Sequence, residues 1–171
     1  MSHRSPVALT TAVSALLVSL TACGASLGSG PQACTEIGAV AGISLTVASS
    51  FAPEVEAVEL EACWEGTCRP VAVELYPGED MVDLGCDSAL PEGSCSATAT
   101  PNGTLTGFTE VRGLPEADVE SVATVTHPDG SETTTAPLTA AARMVYPNGE
   151  QCPGAAPQLG LLLDGTGLHP A

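Results

Sequence analysis

The sequence predicts an all-β domain, an antiparallel sandwich of two sheets, and three observations carry that prediction. Short apolar runs rich in Val and Thr recur along the chain between clusters of Pro, Gly, Asn and Asp, the pattern of strands joined by turns. No apolar stripe of helical period and useful length lies between them. The best-defined runs also fold onto one another as hairpins whose apolar faces coincide, which is what a strand register requires. About eight or nine short strands without intervening helices favour an antiparallel, Ig-like β-sandwich over a parallel α/β fold, with a small barrel as the alternative.

Residues 1–22 precede this domain and read as an export signal. Arg4 supplies a positive start, and Val7 to Leu20 form an apolar run interrupted only by Thr and Ser. That run is shorter than the ~20 apolar residues a spanning helix needs, but fits the apolar region of a signal peptide. Residues 24–33 (GASLGSGPQA) lack charge and are rich in Gly and Ser, so they read as a flexible tether. The domain itself is expected over 34–171.

Within it, Ile43, Leu45 and Val47 alternate with smaller or polar neighbours and predict the first strand. The clearest element runs from Val55 to Tyr76. Val58, Leu60, Ala62 and Trp64 share one face with Glu59, Glu61 and Cys63 opposite, and downstream Val71 and Val73 alternate with Pro70 and Ala72. A two-residue turn at Glu65-Gly66 would set Val58 against Val73, Leu60 against Val71 and Cys63 against Cys68, with both apolar faces on one side. The region after Tyr76 carries Glu79, Asp80, Asp83 and Asp87 and reads as a loop. Pro101-Asn102-Gly103 predicts a turn between strands at 96–100 and 105–111, since Asn-Gly is a strong hairpin signal. Asn102-Gly103-Thr104 also matches a glycosylation sequon, but the turn is the preferred reading. At most one helical turn is expected, over Leu114 to Glu120. Pro128-Asp129-Gly130 predicts a hairpin between 119–127 and 131–138, and further strands are expected over 143–146 and 158–163.

The chain has seven cysteines in 171 residues. Cys23 stands in Leu20-Thr21-Ala22-Cys23, followed by Gly24-Ala25-Ser26. That motif, directly after an apolar segment, resembles the lipobox of bacterial lipoproteins. The resemblance implies cleavage between Ala22 and Cys23 and a diacylglyceryl group on the sulfur of Cys23. Two acyl chains anchor a protein stably where one does not, so no transmembrane helix would be needed. An ordinary secretory signal is the alternative. Setting Cys23 aside leaves Cys34, Cys63, Cys68, Cys86, Cys95 and Cys152, an even set that an oxidising compartment would pair. No Cys-x-x-Cys spacing supports a zinc site. The hairpin suggests Cys63 with Cys68, unless Cys63 reaches another sheet; Cys86 and Cys95 flank a short loop; Cys34 and Cys152 would tie the two ends together.

Twenty acidic residues against four arginines and no lysine give a formal charge of −16. Phosphate binding needs clustered cations, so nucleic acid is excluded as a partner, and so is electrostatic docking on anionic lipid. Enzyme signatures are scarce. There is no Gly-x-Ser-x-Gly elbow, His-Glu-x-x-His or phosphate-binding glycine loop. His3 lies in the export segment, His127 beside a turn and His169 near the end; both latter residues read as turn and tail histidines rather than catalytic bases. Glu54, Glu56, Glu59 and Glu61 on one strand, with the acidic group after Tyr76, could in principle hold calcium. The reading preferred is a solvated negative surface, with no metal or cofactor. Trp64, Tyr76, Tyr146, Phe51 and Phe108 are too few for a sugar platform, and most are expected as core or strand anchors.

From Cys34-Thr35-Glu36-Ile37-Gly38 through Tyr146-Pro147-Asn148-Gly149 to Asp164-Gly165-Thr166-Gly167-Leu168, the chain resembles uncharacterised small lipoproteins of high-GC Gram-positive bacteria. That group implies no activity. The resulting expectation is a non-enzymatic, lipid-anchored protein on the extracytoplasmic face of the cell membrane. It would act by binding an unknown protein or cell-wall ligand. The alternatives are an accessory or substrate-binding subunit of an envelope transporter or enzyme and, third, a stand-alone secreted hydrolase.

Overall fold

The computed structural model describes residues 34–88 and 93–171. Internal contacts divide the chain into Met1–Cys34 and Thr35–Ala171, and the strands belong to the second unit. Among the described residues it holds β1 (Gly42–Val47), a 3₁₀ turn (Ala52–Glu54), β2 (Ala57–Trp64), β3 (Thr67–Val73), β4 (Tyr76–Cys86), β5 (Cys95–Glu110), β6 (Asp118–Thr126), β7 (Glu132–Thr134), β8 (Leu138–Ala141), β9 (Arg143–Val145), β10 (Ala156–Asp164) and β11 (Gly167–Pro170). Two sheets face each other across one core, as a β-sandwich. The first runs β11-β10-β1-β5-β4 with β9 also on β10; the second runs β3-β2-β6-β7 with β8 also on β6.

The alternation read in the sequence is the alternation that builds the core. Ile43, Leu45 and Val47 are buried beside Leu159, Leu161 and Leu163 of the neighbouring strand, and face Val58, Leu60, Ala62, Val119, Ala123 and Val125 of the other sheet. Each such side chain contributes about 1.5–3 kcal/mol when fully buried. The β2–β3 hairpin takes the expected register: Val58 opposes Val73, Leu60 opposes Val71 and Cys63 opposes Cys68. Glu65 and Gly66 turn it with φ of 50° and 75°, the left-handed pair that a two-residue type I′ turn requires.

Several expectations are corrected. The first sheet is mixed, because β1 and β10 run parallel from Gly42/Gln158 to Val47/Leu163. A parallel pair needs a long connection, and here most of the domain lies between the two strands. Pro101-Asn102-Gly103 does not end a strand. β5 continues through it, and β4 supplies the partner, its register jumping from Pro77/Leu105 to Glu79/Pro101. The turn chemistry survives as a bulge: the Thr104 amide and hydroxyl both donate to Asn102 Oδ1, at 3.1 and 2.7 Å. The acidic stretch after Tyr76 is a strand rather than a loop. Leu114 to Glu120 makes no helical turn, and β6 begins within it; the 3₁₀ turn stands instead at Ala52–Glu54, with Pro53 in its first positions. The hairpin at Pro128–Gly130 forms, joining Thr126 to Glu132.

The sheets are tied where β3 passes β5. Thr109 Oγ1 donates to the Ala72 carbonyl at 2.7 Å, and Gly107 lets the β3–β4 connection approach so closely that a Cβ there would collide with Glu74 O and Val73 Cγ1. At Ala142, which is buried, the chain passes from β8 in the second sheet to β9 in the first, and its amide donates to the Ala117 carbonyl.

Candidate interaction surface

The feature that the core does not account for is the far half of the β4–β5 pair. β1 lies against β5 only from Leu105 to Glu110, whereas β4 follows β5 out to Cys86/Cys95. Residues 79–86 and 95–101 therefore form a two-stranded ribbon beyond the sheet, roughly 23 Å long at ~3.3 Å per residue. Every residue in those two spans is exposed. Between bulges at Gly78 and Leu84, Glu79 to Asp83 pair without interruption with Pro101 to Ala97. Met81 shares one side with Glu79 and Asp83; Val82 shares the other with Asp80. Met81 is 69% exposed and Leu84 63%, next to Val82 at 45%. Among the described residues these three side chains make no part of the core.

A two-stranded ribbon is marginal in water, and this one is pinned at both ends. The disulfide Cys86–Cys95 closes its outer end. Just beyond, Asp87 N donates to Ser94 O at 3.0 Å and Ser94 N to Asp87 Oδ1 at 2.8 Å. At the base Asn102 Nδ2 donates to Asp80 Oδ1 at 2.9 Å, while Asp83 Oδ1 accepts from Gly85 N at 2.7 Å and shapes the bulge. Asp80, Asp83 and Asp87 thus take part in the ribbon's local geometry, with Asp80 on the side opposite Glu79 and Asp83.

The two outer faces of the sandwich differ in charge. Glu59, Glu61 and Glu120 lie on the outer face of the second sheet, around the disulfide Cys63–Cys68. Glu54 and Glu56 fall in the 3₁₀ turn and just before β2, not along the strand expected for them. Among the described residues the one grouping with metal-ligand proximity is Glu61, Cys63 and Cys68; its sulfurs are joined as cystine and offer no thiolate. The outer face of the first sheet is neutral at its centre, with Ser44 beside Phe108 and Tyr76 beside Thr106. Phe108, Tyr76 and Tyr146 are exposed, so of the core or strand anchors expected Tyr76 and Phe108 stand on strands β4 and β5 outside the core, and Trp64 is buried in it, with Arg69 stacked over its ring at 4.4 Å. Glu74 accepts a hydrogen bond from the Tyr76 phenol and holds its pKa above the usual value.

His127 meets a cleft of about 360 Å³ at one end of the sandwich, lined also by Phe51, Thr133, Asp164 and Thr166. His127 uses both ring nitrogens. Nδ1 lies 2.7 Å from the Glu54 carbonyl, which can only accept, so Nδ1 donates there, and Nε2 shares a hydrogen bond with Thr133 Oγ1 at 2.9 Å. It clips the 3₁₀ turn to the β6–β7 hairpin. His169 Nε2 is 3.0 Å from Thr166 Oγ1 and 3.2 Å from Asp164 Oδ1. A catalytic triad needs the carboxylate on the nitrogen away from the hydroxyl; here both crowd the same one. The Thr166 hydroxyl and amide donate to Asp164 at 2.6 and 2.7 Å, and with His169 they hold its carboxyl at about 2. This is the chemistry of the β10–β11 turn.

Of the residues singled out in the sequence, Ala22 and Cys23 lie outside the described residues. All six other cysteines are disulfide-bonded, two pairs being Cys63–Cys68 and Cys86–Cys95. The ribbon escapes a reading of the sequence because Pro77-Gly78, Glu79-Asp80 and Gly85 look like loop punctuation; the available signal is the Met81-Val82 pair between carboxylates. No family model, curated protein or solved structure matches the chain.

Proposed function

We propose that this protein is a lipid-anchored, Ig-like module of the cell envelope that works by holding a partner, a protein or cell-wall ligand, and that the β4–β5 ribbon makes the contact. The observation that carries the reading is the ribbon itself: an exposed, disulfide-pinned extension that adds nothing to the core yet displays Met81, Val82 and Leu84. The lipobox at Leu20–Cys23, the cystines and the acidic composition are consistent with an extracytoplasmic place on the membrane, the tether giving the domain reach. An end-to-end Cys34–Cys152 pairing belongs to the same proposal.

Two measurements test it. Intact mass of the native protein from the membrane fraction is expected to show acyl chains on a product beginning at Cys23; a soluble, unacylated product removes the anchor from the reading. With Cys23→Ser in both proteins, so that no acyl chain holds either one, a variant in which residues 80–100 are replaced by Asn-Gly should keep the sandwich but lose retention on isolated envelope. Unchanged retention would remove the ribbon from it.

A further inference from the structure

We infer that the outer edge of β4, over Glu79–Leu84, takes an extended Lys- or Arg-bearing segment of a partner protein as an added strand. The inference rests on the reading of the ribbon as the contact and names the partner's chemistry. Among the described residues β4 ends its sheet and pairs with β5 alone, so its other edge presents the main-chain groups that strand addition uses. From Glu79 to Asp83 that edge is regular, with a bulge on either side.

Exposed edges are commonly blunted by charges and bulges. Here the charges are all of one sign and bracket an apolar centre, which selects a partner instead of refusing all. A second copy is disfavoured. Antiparallel pairing of β4 with itself about Met81 sets Glu79 against Asp83 on one face, a like-charge juxtaposition, between chains that each carry −16. A cationic strand meets the opposite situation. Basic residues beside Glu79 and Asp83 with an apolar residue beside Met81 fill one face; a basic residue beside Asp80 and an apolar one beside Val82 fill the other. Ala97 and Ala99, opposite Asp83 and Met81, are too small to cover that first face from the β5 side. Charge complementarity of this kind sets specificity and encounter rate.

The test uses the full-length protein and a capped, fluorescent peptide containing Lys-Val-Val-Lys-Lys. One control peptide has Glu for each Lys; the other has Pro for each Val. Anisotropy is read at about 20 and about 200 mM salt, across which exposed charge pairs become screened, and hydrogen exchange is read along β4. The Lys-Val peptide is expected to bind, weakening on the order of tenfold with salt, and to slow exchange between Glu79 and Leu84. The variant Glu79→Lys, which leaves the Asp80–Asn102 and Asp83–Gly85 hydrogen bonds of the ribbon in place, should bind several-fold more weakly while amide exchange over 79–86 in the free protein stays as in the parent. Equal binding by the Pro peptide, or slowed exchange on β2 instead of β4, would mean charge attraction without strand addition and overturns the inference. Absence of peptide binding, alongside loss of envelope retention in the ribbon-shortened variant, overturns strand addition and leaves the ribbon reading standing. Retention that ignores the shortening brings down both.

Discussion

Ser121 stands on the inner face of β6 among Val119, Ala123 and Val125, 1% exposed, and its hydroxyl has no hydrogen-bond partner. An unpaired buried hydroxyl costs about 1–3 kcal/mol, and little volume would be lost with it. Ser121→Ala is therefore expected to stabilise the domain by about 1 kcal/mol, read as a higher denaturant midpoint at unchanged slope; a lower midpoint would point to a bonding partner for the hydroxyl. At Asp164 the effect is one of pH. Its carboxyl is held at about 2 by Thr166 and then His169, below the ordinary 3.8. A depressed carboxylate contributes stability that is present above the unfolded value and is lost as pH falls through the folded one. The difference in melting temperature between the protein and Asp164→Asn should therefore be full at neutral pH, shrink from about 4 downward and vanish below about 2. Asp129, lowered by the Ser131 hydroxyl and amide, adds to the same acid limb.

Among the elements, the ribbon and the sandwich are expected to behave as separate cooperative units. The ribbon's residues contribute no core contact, so the Cys86–Cys95 link carries an unusual share of its order. Closing so short a loop contributes about 2–3 kcal/mol in the chain-entropy account. Cys86→Ser/Cys95→Ser is expected to raise amide exchange over residues 79–101 sharply while β1, β2, β6 and β10 keep their protection. Loss of protection throughout would show that the ribbon is part of the folding core. The elements also separate what could be read in advance from what could not. The β2–β3 hairpin was legible to its register because turn, alternation and cysteine spacing are all local. The β4–β5 ribbon was not, because its strands carry bulges and exposed residues, and no buried face writes a period into them. Asn102-Gly103 shows the same limit: two residues that close a hairpin when strands end around them make a bulge when a partner strand runs past.

For the molecule as a whole, charge is the property that reaches across elements. A chain at −16, with all its carboxylate side chains in the domain, is strained by its own field, most directly on the outer face that gathers Glu59, Glu61 and Glu120. Raising monovalent salt from about 10 to about 150 mM shortens the Debye length from roughly 30 to 8 Å and should raise the melting temperature. A fall would mean that attractive pairs, such as Arg112 with Glu110 at 3.1 Å, outweigh repulsion. The all-β class, the core-facing residues of β1, β2 and β3, the cystine-forming use of six cysteines and the sign of the surface were legible in the sequence, because each follows from local period, composition or counting. The tertiary structure settled that β1 and β10 pair in parallel, that an acidic stretch becomes an edge strand, and that His127 clips the 3₁₀ turn to the β6–β7 hairpin while His169 meets Thr166 and Asp164. Those outcomes depend on which distant segments meet, and a strand's partner is fixed by the shape of the whole sandwich rather than by its own residues.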